Sequence, residues 1–143
     1  MQERVINILL VEDDEVDVMN VKRAFKKVNI TNPIYHADNG VEALKMLRGH
    51  HSQPPNIPNE RRLILLDLNM PKMGGIEFLQ ELRRDPKLKA TPVVVMTTSN
   101  QDQDRVEAYN LNVAGYILKP VTFNSFVEIM AALNKYWILC EIP

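Results

Sequence analysis

A single cysteine, Cys140, occurs in 143 residues, so no internal disulfide can form, and a reducing compartment, the cytoplasm, is the expected home. A histidine and cysteine set suited to zinc is also missing, since His50 and His51 sit in a polar, proline-rich stretch and Cys140 stands alone. The longest apolar runs are four or five residues, far short of the roughly twenty that a membrane-spanning helix needs. The opening Met-Gln-Glu-Arg lacks the apolar centre of a signal peptide. Seventeen basic against eighteen acidic residues leave a net charge of −1, which gives no electrostatic basis for binding DNA or an anionic membrane. No glycine-rich phosphate loop follows the first apolar run, which argues against a mononucleotide-binding site. Internal repeats and low-complexity tracts are absent as well. What is left is a globular chain of ordinary composition, 45% apolar and 24% charged, long enough to bury one core.

Short apolar runs alternate with segments of helical period, the signature of an α/β domain with a parallel sheet. Strands are expected at Ile6–Val11, Ile34–Ala37, Leu63–Leu66, Val93–Met96 and Tyr116–Leu118. Between them, Val18, Val21, Phe25 and Val28 fall on one helical stripe, and Val41, Leu44 and Leu47 form the next helix after Asn39-Gly40. Ile76, Leu79 and Leu82 give a third helix that stops before Pro86. Residues 101–110 offer only Val106, Ala108 and Tyr109 as core contacts, and Phe123–Trp137 is the last helix. Residues 49–60 are proline-rich and aperiodic, which predicts an exposed loop that is long for a βα repeat. Met19, Met46, Met96 and Met130 read as core filler, and His36 as a packed or edge histidine within a strand.

The chemistry gathers directly after the strands. The first ends in Glu12 and Asp13, the third in Asp67, the fourth in Thr97 and the fifth in Lys119. In an open parallel sheet these carboxyl ends share one edge, where ligands bind at the reversal of strand order. Three crowded carboxylates repel one another, and a hard divalent cation such as magnesium, which takes oxygen ligands, resolves the conflict. A carboxylate can attack phosphorus to form an acyl phosphate, provided that a metal and usually a lysine neutralise the phosphoryl oxygens. Asp67 as nucleophile, Glu12 and Asp13 as metal ligands, Lys119 as cationic clamp and Thr97 as hydroxyl donor satisfy that list. Each residue has an ordinary reading in isolation. Asp14 reads as a helix N-cap, Asp67 as a turn residue before Pro71, Thr97 as a strand-end hydroxyl bonded to backbone, and Lys119 as a surface lysine. Their coincidence at four strand ends favours a site.

Val-Glu-Asp-Asp at 11–14, Leu-Leu-Asp-Leu-Asn-Met-Pro at 65–71, Met-Thr at 96–97 and Lys-Pro at 119–120, in that order, resemble the receiver domain of two-component response regulators. The 49–60 insertion, Val-Val-Val-Met-Thr-Thr-Ser and the ending Tyr-Trp-Ile-Leu-Cys-Glu-Ile-Pro are similar to the stand-alone regulators that partner phytochromes. The resemblance implies a doubly wound (βα)5 flavodoxin-like fold of strand order 2-1-3-4-5, spanning residues 5–138, with 139–143 as a short tail and no output domain. It implies that Asp67 is the phosphoacceptor, that Asp13 binds magnesium directly and Glu12 through a water, and that Asn69 offers its carbonyl to the ion. Thr97 and Tyr116 would be the switch pair that reports phosphorylation, and Lys119-Pro120 would be a cis peptide that aims the lysine. The position after Thr97 is usually very small in the family, whereas Thr98 is not, and Ser99 is small and neutral.

On this reading the chain is no enzyme in the ordinary sense but a phosphoacceptor that promotes its own phosphorylation and dephosphorylation. A magnesium-dependent phosphatase would carry a second aspartate where Asn69 stands and would need a longer insertion for a substrate pocket; an inert module of the same fold would have no need of the acceptor, acids, hydroxyl and lysine together. The expected partners are a sensor histidine kinase, of phytochrome type on the narrower resemblance, and a downstream protein. The final helix carries two apolar lines, one of Phe126, Met130, Leu133 and Trp137 and one of Ile129, Ala132 and Tyr136. The second line, next to Tyr109 and Tyr116 and with Ile138, Leu139 and Ile142 left uncovered, predicts a homodimer through the fourth-helix, fifth-strand and fifth-helix face; the alternative is a monomer whose tail folds back over it.

Overall fold

The computed structural model describes residues 5–49 and 57–143. Five strands and five helices alternate: β1 (Asn7–Val11), α1 (Glu15–Lys27), β2 (Ile34–Ala37), α2 (Gly40–Arg48), β3 (Arg62–Leu66), α3 (Gly75–Arg84), β4 (Val93–Thr97), α4 (Asp102–Asn110), β5 (Gly115–Leu118) and α5 (Phe123–Trp137). The strands are parallel in the order β2-β1-β3-β4-β5. The chain winds one way from β1 to β2 and the other way from β3 onward, so the crevice at the carboxyl ends of β1 and β3 is the switch point of the sheet.

Because both faces of the sheet are covered, β1, β3 and β4 are buried along their whole length, and their sequences are continuous apolar runs instead of alternations. Leu9, Val11, Ile64, Leu66, Val93 and Val95 pack on one face against Ala43, Leu44, Phe78, Leu79 and Leu82. Ile8, Leu10, Leu63, Leu65, Val94 and Met96 pack on the other face against Val18, Val21, Phe25, Phe126, Met130 and Trp137. Caps set the helix starts: the Asp14 carboxylate accepts from the amides of Val16 and Asp17, Asn39 from that of Glu42, and Thr122 from that of Ser125. Gly49, at φ +73°, closes α2 in a left-handed conformation.

Several residues stand elsewhere than the sequence suggests. Met19 is 52% exposed, because it lies off the Val18–Val21–Phe25 stripe. Val106 and Tyr109 face solvent, and Ala108 alone of α4 is buried. Val41 is also exposed, and the buried side of α2 runs through Ala43, Leu44, Met46 and Leu47. The exposed-loop reading of 49–60 fails at its far end, where Ile57 is buried; His50 and His51 lie outside the described residues. At the tail Ile138 and Leu139 are exposed as expected, but Ile142 packs on the core and the Pro143 carbonyl accepts from the Arg61 amide at 2.7 Å. The tail thus returns to the edge opposite the strands' carboxyl ends.

Two arginines, Arg62 buried and Arg83 half-buried, brace the loops at that edge. The Arg83 guanidinium donates to the carbonyls of Leu111 (2.7 Å), Lys89 (3.0 Å), Thr91 (2.7 Å) and Asn112 (3.1 Å), tying α3 to the end of α4 and to the entry of β4. Arg62 donates to the carbonyls of Pro58 and Ile57, which seats Ile57 against the core.

Candidate functional site

The carboxyl ends of β1, β3, β4 and β5 bring the candidate residues to one crevice. Parallel pairing fixes their depth: the Asp67 amide donates to the Val11 carbonyl at 3.1 Å, and the Lys119 amide to the Thr97 carbonyl at 2.8 Å. The strands therefore deliver their chemical groups at or just past their last residues.

Glu12 is held from both sides of its peptide. Its amide donates to the Ala37 carbonyl at 3.0 Å, and its carbonyl accepts from His36 Nε2 at 2.7 Å. The chain turns away into α2 after β2, so no further β2 amide serves that carbonyl, and the imidazole replaces it. His36 is thus the partly buried edge histidine that its strand position suggested. The Glu12 carboxylate is itself buried and accepts from the Asp14 amide at 3.2 Å.

Asp67 is 4% exposed, and its Oδ1 accepts from the Asn69 amide at 3.2 Å. Asp13 is exposed, yet one oxygen from each of Glu12, Asp13 and Asp67 lies within 4.8 Å of the others. Three hard oxygen donors at that spacing match a small divalent cation that keeps part of its water. Among the described residues this is the one acidic, histidine or cysteine group so arranged. Asn69 lies at the exposed rim, where its Nδ2 donates to Thr98 Oγ1 at 3.3 Å. The larger residue after Thr97 is therefore engaged with the loop that follows Asp67.

Lys119 reaches into the same crevice, its side chain only 7% exposed. Its Nζ lies 2.7 Å from Glu12 Oε1, 2.7 Å from Asp17 Oδ2 and 3.2 Å from Asp67 Oδ2. Burial works against the ammonium's charge, but the hydrogen bonds to Asp17 and Glu12 and the charges of Glu12 and Asp67 outweigh it, so Lys119 is held above the ordinary lysine range. The Glu12 carboxyl goes the other way. Burial raises it, the Lys119 hydrogen bond only partly offsets this, and the Asp67 charge adds to the rise, which leaves it at about 8.

Thr97 is fully buried and its Oγ1 accepts from the Ser99 amide at 3.3 Å. Tyr116 is half-buried, and its hydroxyl donates to the Ser99 carbonyl at 2.9 Å, while Ser99 Oγ donates to Asp104 in α4 at 2.5 Å. Ser99 thus connects the two expected switch residues to each other and to α4. Nothing in the sequence singles out Ser99 for that role, or Asp17 for the lysine. Asp17 is an acid in the first turn of α1, which has an ordinary explanation in the helix dipole.

A five-stranded parallel sheet with acids, a hydroxyl and a lysine at its switch point defines a class, and the comparisons agree. The chain belongs to the response regulator receiver domain family, whose profile matches residues 8–131. It is 38% identical over 131 residues, 92% of its own length and 83% of the relative's, to the probable methanogenesis regulatory protein FilR2 of Methanothrix harundinacea. It is 35% identical over 133 residues to the response regulator Rcp1 of Synechocystis, covering 92% of this chain and 88% of that one. The Mn(2+)-bound form of Rcp1 superposes with a TM-score of 0.82, 33% identity and coverage of 96% of this chain and 99% of that one. The phosphorylated cyanobacterial phytochrome response regulator RcpA superposes with a TM-score of 0.84 at 32% identity, over 98% of this chain and 99% of the other. Among the described residues no helix is long and apolar enough to cross a membrane.

Proposed function

We propose that this protein is a phosphorylation switch in which Asp67 accepts a phosphoryl group from a sensor histidine kinase. The observation that carries the reading is the buried Asp67 carboxylate, 4% exposed at the switch point, with the Lys119 ammonium 3.2 Å from its Oδ2 and two further carboxylates beside it. In the transfer an Asp67 oxygen forms a bond to phosphorus as the phosphorus–nitrogen bond of the kinase's phosphohistidine breaks, and the released imidazole takes a proton from solvent. Asp67 supplies the electron pair, and its neighbours hold it in line. Lys119 neutralises one phosphoryl oxygen, and the Thr97 hydroxyl, released from the Ser99 amide, donates to another.

Glu12, Asp13 and Asp67, with the Asn69 carbonyl, would hold a magnesium ion. Its chemistry there is charge neutralisation of the phosphoryl oxygens. The Rcp1 structure with bound Mn(2+) and the hard-oxygen donor set support this assignment. Once Thr97 turns to the phosphoryl group, the Ser99 loop loses a tether, and Tyr116 and α4, both bonded to that loop, are free to repack. The likeness to the phytochrome response regulator RcpA supports a phytochrome-class kinase as the donor, and the lone free cysteine, Cys140, fits a reducing, cytoplasmic setting. Output then runs through protein contacts, with residues 5–138 as the switch. The exposed Val106 and Tyr109 of α4, Leu118 of β5 and Tyr136 of α5 lie on the face proposed for a homodimer.

Incubation with phosphoramidate and intact-mass measurement tests the reading. One phosphoryl adduct that needs magnesium and vanishes in Asp67→Asn is the expected result. An adduct of equal yield in that variant, or in chelator, refutes it.

A further inference from the structure

We propose that Asp17 is a positioning residue of this site, the counter-ion to which the Lys119 ammonium turns when a divalent cation takes the cluster of Glu12, Asp13 and Asp67. The inference rests on the reading of that cluster as a cation site. An ammonium has three N–H donors, and here Glu12 Oε1 at 2.7 Å, Asp17 Oδ2 at 2.7 Å and Asp67 Oδ2 at 3.2 Å account for all of them. Two of those carboxylates belong to the group that can hold a cation, and Asp17 does not. Lys119 therefore occupies oxygens of Glu12 and Asp67 that a cation needs. Two cations sharing the same oxygens in a buried crevice repel strongly, because little water screens them.

Asp17 removes that conflict. It lies in the first turn of α1, rigidly placed by the Asp14 cap that also holds its own amide. Its side chain is one-fifth exposed against 7% for that of Lys119. The ammonium can give up the Glu12 and Asp67 oxygens to an incoming ion and keep one strong, charge-assisted hydrogen bond without leaving the crevice. It also stays near Asp67, where a phosphoryl oxygen would arrive. Without Asp17 the ammonium has acceptors only within the cation cluster, and it competes with the ion directly.

Loss of a negative charge weakens cation binding whatever Lys119 does, so the test must separate charge from position. The experiment is titration of the full chain with Mn(2+), free ion being read by electron paramagnetic resonance, in wild type, Asp17→Ala, Lys119→Met and the double variant. Partner residues of this kind change metal affinity by about tenfold or more. Asp17→Ala should weaken Mn(2+) by about tenfold with Lys119 present and by no more than about twofold in Lys119→Met. Asp17→Asn, which keeps an acceptor oxygen and the helix start, should show the same dependence on Lys119 with a smaller loss, and it serves if the alanine variant does not fold. An equal loss in both backgrounds would mean that Asp17 acts by charge alone and would overturn the proposal, as would no loss at all. If wild type binds no Mn(2+), or Asp13→Ala and Asp67→Asn bind it as wild type does, the reading of the cluster itself falls.

Discussion

The raised Glu12 carboxyl makes cation binding a proton-releasing reaction. With its pKa at about 8, Glu12 is mostly protonated at neutral pH, and an ion that needs its oxygen must displace that proton. The sign follows from the competition: affinity rises with pH up to the carboxyl's pKa and levels off above it. At pH 6.5 only about one molecule in thirty has Glu12 ionised, so apparent affinity should lie about 30-fold below its plateau, or about 2 kcal/mol. Lys119 does not disturb the profile, because its own shift keeps it charged through this range. Titration calorimetry in two buffers of different ionisation enthalpy measures the protons released. The expected values are about one proton per Mg2+ near pH 6.5, about one half at pH 8 and almost none above pH 9. Glu12→Gln should bind Mg2+ more weakly and lose this proton release. Affinity independent of pH between 6.5 and 8.5 in wild type would refute the reasoning, and would place Glu12 as a permanent carboxylate held by Lys119.

Three further outcomes follow from the packing. A Cβ added at Gly75 would lie 2.6 Å from the Asp67 carbonyl oxygen and 2.6 Å from Leu68 Cα, so Gly75→Ala must shift the backbone that carries Asp67; a loss of about 2 kcal/mol in urea unfolding and slower phosphorylation by phosphoramidate are expected, and wild-type values for both would contradict the packing. Arg83→Ala strips four backbone carbonyls of their charged donor, and a loss of about 3 kcal/mol is expected, against which a loss below about 1 kcal/mol would count. Sedimentation at micromolar concentration with beryllofluoride should show a dimer that Tyr136→Glu disrupts; a monomer in every condition would discard the α4-β5-α5 interface.

The strands and their ends were legible because burial on both faces leaves no choice but continuous apolar runs, and the chemistry stands just past each run. Glu12, Asp13, Asp67, Thr97 and Lys119 are therefore legible as a group; the structure sets the three carboxylates and the Lys119 ammonium side by side and puts Thr97 at the end of the neighbouring strand. What was not legible depends on which way a side chain faces. Met19 and Val106 are apolar, but helix packing uses one stripe, and composition does not say that these residues stand outside it. Residues 102–110 have almost no apolar periodicity to read, and α4 buries Ala108 alone. Arg62 and Arg83 carry no sequence mark that separates a loop brace from a surface arginine, since their partners are backbone carbonyls of loops. Ile57 was hidden in a proline-rich segment whose polar average predicted exposure. Asp17 was masked by its own good ordinary reading: an acid in the first turn suits the helix dipole, and only Lys119, 102 residues away in sequence, reveals its second partner.

The central claim is that Asp67 carries the phosphoryl group. Borohydride reduces an aspartyl phosphate to homoserine, which peptide mass spectrometry locates residue by residue. After phosphorylation by a cognate histidine kinase in magnesium, followed by borohydride, homoserine should be found at position 67 and nowhere else, and chelator should abolish it. Homoserine at Asp13 or another acid, or a stable phosphoryl adduct that leaves position 67 as aspartate, would contradict the account.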